Sequence, residues 1–168
     1  LVSRPYVTMT IEVMKKFGVK VEQRDGNRFY VAGRKEYLPT RLSIEPDASN
    51  SSYFWAAAAI TRTRIKVKNI QRASRQGDLR LLDLLEEMGC QIEEDAEGIS
   101  VRGGPLQGIT ADRGTMPDFV PTLAVVAAFA KGTTTIRNVA HLKVKETDRL
   151  AAVKNELTKM GIKVELLP

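Results

Sequence analysis

The chain has 168 residues, of which 43% are hydrophobic, so it can bury the core of one ordinary domain or of pieces of two. The apolar run over residues 55–60 is too short to span a bilayer, and the N-terminus lacks a signal-peptide pattern. The single cysteine, Cys90, excludes an internal disulfide and fits a reducing compartment. These features predict a cytoplasmic globular protein with no membrane partner.

The formal net charge of +6 raises the alternative of a basic module that binds nucleic acid. However, acidic residues are interleaved with the basic ones, as in Glu86-Glu87 and Glu93-Glu94-Asp95. Aromatic residues do not alternate with the basic ones to form a stacking platform. A site for small anionic substrates therefore explains the excess charge better, and no nucleic-acid partner is expected.

The first third of the chain predicts a helix over 5–17 that ends at Gly18, because Val7, Ile11 and Met14 fall on one face. Strands over 19–23 and 28–32 flank an Asp-Gly-Asn turn and form a hairpin. The polar stretch 33–40 is a plausible crossing between two lobes.

The middle third predicts a short strand over 42–44 and an alanine-rich helix to about residue 60, capped by Asp47 or Ser49. A strand over 64–70 follows. The Gln76-Gly77-Asp78 loop then leads into a helix that turns four apolar residues inward: Leu81, Leu84, Leu85 and Met88. A second hairpin pairs 90–94 with 98–102.

The last third predicts a strand over 108–112, a turn at Met116-Pro117-Asp118 and an apolar helix over 119–131, with Pro121 in its first turn. A strand over 133–139, a charged turn, a helix over 150–160 and a strand over 162–165 complete the chain. The charged turn holds the only histidine, His141, and lies where a helix N-terminus attracts anions, so a phosphate or carboxylate substrate is expected.

An internal repeat organises these elements. The same joint between a helix end and a strand recurs at residues 17–22, 88–93 and 160–165. The repeating unit is βαβαββ; the copy over 42–102 is complete, whereas the first and last are truncated. The sequence is therefore expected to be a fragment of a longer α/β (α+β) protein.

Several separated motifs agree with one known family. Lys145-Glu146-Thr147-Asp148-Arg149-Leu150 follows a Thr-Thr-Ile-Arg-Asn strand, and four further motifs precede it in the same order: Leu1-Val2-Ser3-Arg4-Pro5-Tyr6, Asp47-Ala48-Ser49, Gln76-Gly77-Asp78 and Met116-Pro117-Asp118. The chain thus resembles the 5-enolpyruvylshikimate-3-phosphate synthase family throughout. The resemblance implies the enolpyruvyl transferase inverse α/β barrel of six βαβαββ units in two lobes. Residues 1–40 would end one lobe, and residues 41–168 would form part of the second.

The resemblance also implies an activity: transfer of the enolpyruvyl group of phosphoenolpyruvate to the 5-hydroxyl of shikimate 3-phosphate, with release of phosphate, in the shikimate pathway to chorismate and the aromatic amino acids. It implies no metal, no cofactor and a monomeric parent enzyme. The family's early lysine and arginine, its Ser-Ser-Gln motif and its late arginine and lysine lie outside these residues, so the isolated chain is expected to be inactive. The sister transferase that acts on UDP-N-acetylglucosamine is the alternative.

Two carboxylates are the candidate catalytic residues. From the residues alone, Asp118 is an ordinary helix N-cap, and Glu146 complements the dipole of a helix that it opens. The resemblance instead implies that Asp118 binds the ring hydroxyls and acts as the base. It implies that Glu146 is the acid that protonates the phosphoenolpyruvate methylene.

The candidate substrate-binding residues are Lys145, Arg149, His141, Ser3 and Tyr6. Lys145 and Arg149 are four apart, so on a helix they would share a face, which is either a solvated stripe or an anion site. The resemblance implies that Lys145 and Ser3 hold shikimate 3-phosphate, that Arg149 holds phosphoenolpyruvate and that Tyr6 lies beside the ring. His141 stands where the family often has asparagine, and either side chain can donate a hydrogen bond.

Overall fold

A computed structural model describes residues 4–112 and 118–167 of the chain. Within those residues lie the helices α1 (Arg4–Lys16), α2 (Ala48–Thr61), α3 (Leu81–Glu87), α4 (Val120–Ala127) and α5 (Arg149–Lys159). The strands are β1 (Val21–Arg24), β2 (Arg28–Val31), β3 (Arg64–Lys68), β4 (Gln91–Asp95), β5 (Gly98–Arg102), β6 (Thr110–Asp112) and β7 (Thr135–Arg137). Two 3₁₀ turns, Gly77–Arg80 and Ala140–Val144, precede α3 and α5. The predicted α/β class is confirmed.

The strands form three small sheets. β1 and β2 make an isolated antiparallel hairpin, as predicted. In the second sheet, β5 lies between β3 and β4 and runs antiparallel to both, so that β3 and β4 are parallel to each other and α3 connects them. β6 and β7 pair in parallel, and α4 connects them. Both parallel relationships need a crossover connection, which a helix supplies.

The core surrounds α2, which contacts β3, β5, α3 and α4. This helix carries apolar residues on every side, and most of its surface is buried, although Tyr53 and Phe54 are exposed. Asp47, one of the two residues predicted as its cap, accepts a hydrogen bond from the Ser49 amide at 2.8 Å. Trp55, Leu84 and Ile99 in this core are fully buried.

The predicted repeat is visible at its helix-to-strand joints. Gly18, Gly89 and Gly161 all have positive φ, at 84°, 108° and 82°, a region that glycine enters without steric cost. In each joint the amide after the glycine bonds to the carbonyl five residues earlier: Val19 to Met14 at 2.9 Å, Cys90 to Leu85 at 2.8 Å and Ile162 to Leu157 at 3.0 Å. The three sequence copies therefore build the same Schellman-type helix end.

Two predicted strands do not form. Residues 42–44 and 162–165 are irregular, and Ile44 is 86% exposed. Their alternation is typical of strands, but within 4–112 and 118–167 neither segment pairs with another strand. The backbone groups of an unpaired strand have only water as hydrogen-bond partners. An alternating pattern is therefore not enough by itself to form a stable strand. The unit over 42–102 thus lacks its first strand here.

The helix predicted over 119–131 is shorter than expected. α4 ends at Ala127 because the following backbone bonds elsewhere: the Lys131 amide donates to the Leu106 carbonyl, and the Gly108 amide donates to the Lys131 carbonyl, both at 2.8 Å. Pro121 lies in its first turn, as predicted. None of the helices in the described part of the chain combines the length and the apolar character that crossing a bilayer requires.

Candidate active site

The candidate site is built around Asp118, just before α4. Its Oδ1 accepts hydrogen bonds from Arg149 Nη1 at 2.9 Å and from Lys145 Nζ at 3.4 Å. Its Oδ2 accepts one from the Tyr6 hydroxyl at 2.9 Å. The N-cap position of α4 belongs to Phe119, so Asp118 does not serve as that cap. Two distant parts of the chain, α1 and the segment over 145–149, thus converge on one carboxylate.

Arg149 connects the two candidate catalytic carboxylates. Besides its bond to Asp118, it forms a bidentate pair with Glu146, with Nε to Oε1 at 2.8 Å and Nη2 to Oε2 at 3.0 Å. The planar guanidinium matches a carboxylate in this way, and would match a phosphate or a substrate carboxylate equally well. Arg149 is therefore placed to exchange a protein anion for a substrate anion.

The predicted placement of Lys145 and Glu146 relative to α5 is wrong. Both precede the helix, which begins at Arg149 because Asp148 caps it and accepts bonds from the Leu150 and Ala151 amides. Glu146 therefore does not open the helix, and Lys145 and Arg149 do not share a helix face. They still meet, because the extended backbone at Lys145 directs its ammonium group to Asp118.

The charges around Asp118 keep it ionised. Burial alone would raise the pKa of Asp118, but the hydrogen bond from Tyr6 and the positive charges of Lys145 and Arg149 outweigh it and lower that pKa. The side chains of Asp118 and Arg149 are only 25% and 23% exposed, which limits screening by solvent. The hydrogen bond from Arg149 likewise lowers the pKa of Glu146, which is an ionised ion-pair partner in this arrangement.

A second carboxylate, Asp78, lies near Asp118 and Tyr6. The sequence predicts only a turn at this position. Asp78 is 3% exposed and accepts a hydrogen bond from the Ser49 hydroxyl, while its Oδ1 is buried without a partner among the described residues. Burial raises the pKa of Asp78, and the neighbouring charges of Asp118 and Asp47 raise it further. The only signal for it in the sequence was its place in the Gln-Gly-Asp motif.

A cavity of about 360 Å³ opens beside the cluster. It is lined by Tyr53, Asp118, Pro121, Glu146, Arg149, Ala152 and Val153. Tyr53 was missed because a single tyrosine in an alanine-rich helix gives no functional signal. A larger apolar cavity, of about 630 Å³, lies between α1 and Tyr37, away from the carboxylates, and shares only Tyr6 with the cluster.

Among the described residues, His141 is the one predicted site residue that is not joined to this cluster. Ser3 lies outside the described residues, as do Met116 and Pro117. His141 is half-buried in the 3₁₀ turn before α5, and its Nε2 is buried with no hydrogen-bond partner in 4–112 or 118–167. Within the same residues, no group of three or more His, Cys, Asp or Glu side chains is arranged to hold a metal ion.

Comparison with known proteins gives one consistent family. A family model described as EPSP synthase (3-phosphoshikimate 1-carboxyvinyltransferase) matches residues 1–168. A 3-phosphoshikimate 1-carboxyvinyltransferase of a Nostoc species is 47% identical over 166 residues, which are 98% of this chain and 39% of the relative. Its counterpart in Cronobacter sakazakii is 48% identical with the same coverage. The chain thus spans about 39% of the length of these curated relatives.

Solved structures agree with that result. An EPSP synthase from Acinetobacter baumannii superposes with a TM-score of 0.74 and 26% identity, covering 89% of this chain and 36% of that one. The enolpyruvyl transferase NikO from Streptomyces tendae gives a TM-score of 0.62 and 25% identity, covering 79% of this chain and 33% of that one. The predicted enolpyruvyl transferase architecture is therefore confirmed.

Proposed function

Because this chain belongs to the EPSP synthase family, we propose that it supplies part of the active site of a transferase. The enzyme moves the enolpyruvyl group of phosphoenolpyruvate to the 5-hydroxyl of shikimate 3-phosphate and releases phosphate. The observation that carries the proposal is the convergence of Lys145 and Arg149 on Asp118, beside an open cavity. This arrangement suits an acceptor that carries both hydroxyl groups and anionic groups.

Asp118 is the proposed base. It is ionised and presents Oδ2 to a hydroxyl group, the Tyr6 phenol, at 2.9 Å, which is the geometry that deprotonation of an acceptor hydroxyl requires. Lys145 and Arg149 lower its pKa, so Asp118 becomes a stronger base when substrate anions draw these cations away. Binding of the anions and activation of the base are thereby coupled.

Glu146 is the proposed acid, and the same exchange of partners explains how it gains a proton. While Arg149 holds Glu146 in a bidentate pair, the pKa of Glu146 is lowered and the residue is a poor donor. A phosphoenolpyruvate anion bound to Arg149 would replace Glu146 and add negative charge beside it. Both changes raise the pKa of Glu146 toward the range in which it can protonate the methylene carbon.

We assign residues 1–40 and 41–168 to different lobes of the parent enzyme. Two observations support this division: α1 has no buried residue, and the β1–β2 hairpin pairs with neither of the other sheets. Ser3 would then bind shikimate 3-phosphate from one lobe, with the aromatic ring of Tyr6 beside the acceptor ring, and His141 and Lys145 would bind it from the other. The parent enzyme is proposed to be a cytoplasmic monomer, and the chain alone is expected to have little or no turnover.

Small anions remain the favoured partners over nucleic acid. Part of the basic surface is already paired: Arg64 with Glu93 at 2.7 Å, Lys66 with Asp95 at 2.6 Å and Arg72 with Asp83 at 2.6 Å. These pairs reduce the free positive charge that a phosphate backbone would contact. The surface therefore does not favour a nucleic-acid module.

Lys145→Ala is expected to weaken binding of shikimate 3-phosphate to the chain by about 10- to 100-fold, because a charge-assisted contact to the phosphate is lost. Titration followed by backbone amide NMR measures this, and saturable shifts near Asp118, His141 and Arg149 are expected in the unchanged chain. The matched control is Lys143→Ala, an exposed lysine of the same segment, which should change affinity by less than about twofold. Equal affinities of the two variants would contradict the assignment.

A further inference from the structure

We propose that the Tyr6 phenol occupies, on Asp118, the position that the acceptor hydroxyl takes during the reaction. Tyr6 is then a positioning residue that holds the base in place until the substrate hydroxyl replaces it. This inference rests on the proposed function and adds to it a defined exchange of hydrogen bonds at one carboxylate oxygen.

The two oxygens of Asp118 have different partners. Oδ1 takes the two cations, Arg149 at 2.9 Å and Lys145 at 3.4 Å, whereas Oδ2 takes the neutral Tyr6 hydroxyl at 2.9 Å. Bonds with two ionised partners are the stronger ones, so the cations fix Oδ1 and the orientation of the carboxylate. Oδ2 is consequently the oxygen at which a partner is exchanged most easily.

The exchange replaces one hydroxyl donor with another. An alcohol group of an acceptor makes the same O–H to carboxylate bond as the phenol, with the same donor count and no change of charge. The carboxylate therefore stays satisfied before and after the acceptor binds. The exchange takes place at Oδ2, so it is separate from any change in the partners of Oδ1, Arg149 and Lys145.

Tyr6 lies on a part of the chain that can move without breaking contacts in the buried core. It lies on α1, which has no buried residue, and it is 112 residues from Asp118 in sequence. Its own side chain is 41% exposed and lines the apolar cavity beside α1. Withdrawing the phenol from Oδ2 therefore breaks one hydrogen bond without opening the core.

The phenol acts as a donor and does not take the proton itself. Burial raises the pKa of Tyr6, and the negative charges of Asp78 and Asp118 raise it further, so Tyr6 stays protonated at neutral pH. The charged and titratable groups around Asp118 in the described residues are Lys145, Arg149, Tyr6, Asp78 and, on the other side of Arg149, Glu146. Among these, Tyr6 is the neutral donor.

Tyr6→Phe in the 168-residue chain tests the exchange, because phenylalanine keeps the ring and removes only the hydroxyl. With no phenol to displace, shikimate 3-phosphate should bind about two- to tenfold more tightly, measured by the same NMR titration. Tyr30→Phe, on the exposed face of β2, is the matched control and should leave the affinity unchanged. Equal or weaker binding by Tyr6→Phe would overturn the inference.

A second measurement needs no substrate. The pKa of Asp118, followed by its side-chain carboxyl carbon in NMR, should rise in Tyr6→Phe and stay constant in Tyr30→Phe, because the phenol lowers it in the unchanged chain. An unchanged pKa of Asp118 in Tyr6→Phe would overturn this inference and leave the proposed function standing. A raised pKa with no binding of shikimate 3-phosphate to any of the three chains would support Tyr6 as the donor and contradict the proposed function.

Discussion

Asp118→Asn is expected to lower kcat by about 10²- to 10⁴-fold, the usual contribution of a general base. Asparagine keeps the shape of the side chain, and its oxygen can still accept from Arg149 and Lys145, but it cannot take a proton from the acceptor hydroxyl. The measurement uses the Nostoc relative with its matching segment replaced by residues 1–168. Phosphate released from phosphoenolpyruvate is followed, and the chain alone serves as the blank.

Asp83→Asn is the matched control in the same chimera. Asp83 is an exposed carboxylate on α3 that pairs with Arg72 at 2.6 Å, far from the cavity. Its replacement should change kcat by less than about twofold. An Asp118→Asn chimera that keeps a rate similar to that of Asp83→Asn would show that another group is the base.

Trp55→Ala is expected to lower the free energy of unfolding by about 3–5 kcal/mol, the usual cost of removing a large buried aromatic side chain. Trp55 has no exposed surface, and its indole N–H donates to the Ile99 carbonyl of β5 at 3.4 Å. The substitution would leave a cavity between α2 and the central strand and would remove the bond to Ile99. Urea unfolding followed by circular dichroism measures the loss.

The next residue provides the control for that experiment. Phe54 lies on the same helix but is 59% exposed, so Phe54→Ala should cost less than about 1 kcal/mol. Similar losses for Trp55→Ala and Phe54→Ala would mean that α2 is not the centre of the core.

Local sequence patterns were sufficient wherever one short segment determines its own conformation. The Asp47 cap and the glycine joints at Gly18, Gly89 and Gly161 involve bonds within about six residues, and all formed as predicted. The strands predicted at 42–44 and 162–165 failed for the opposite reason. A strand needs a partner, and the alternation of a segment does not say whether one is available.

The geometry of the site likewise depends on contacts between segments that are distant in sequence. Spacing suggested that Lys145 and Arg149 meet through a shared helix face, whereas they meet because both contact Asp118, 27 and 31 residues away in sequence. The bond of Asp118 to Tyr6 spans 112 residues, and no periodicity predicts it. The motifs include the residues that meet at Asp118, but the geometry of that meeting depends on how distant elements pack. The burial of Asp78 also depends on the packing of distant elements, so the sequence alone did not predict it.

The placement of the cluster also gives it an electrostatic advantage. Asp118 precedes α4, and Arg149 is the first residue of α5, so the N-terminal ends of two helices lie at the site. The positive ends of the helix dipoles favour bound anions and supplement the charges of Lys145 and Arg149. A substrate anion bound here would therefore interact with the dipoles of α4 and α5 and with the side chains of Lys145 and Arg149.

The most direct test of the proposed function is the choice of acceptor by the chimera that carries residues 1–168. Shikimate 3-phosphate and UDP-N-acetylglucosamine are offered separately with phosphoenolpyruvate, and release of phosphate is measured. The account predicts that phosphate is released with shikimate 3-phosphate and not with the UDP-sugar. Release with the UDP-sugar alone, or with neither acceptor from a folded chimera, would contradict it.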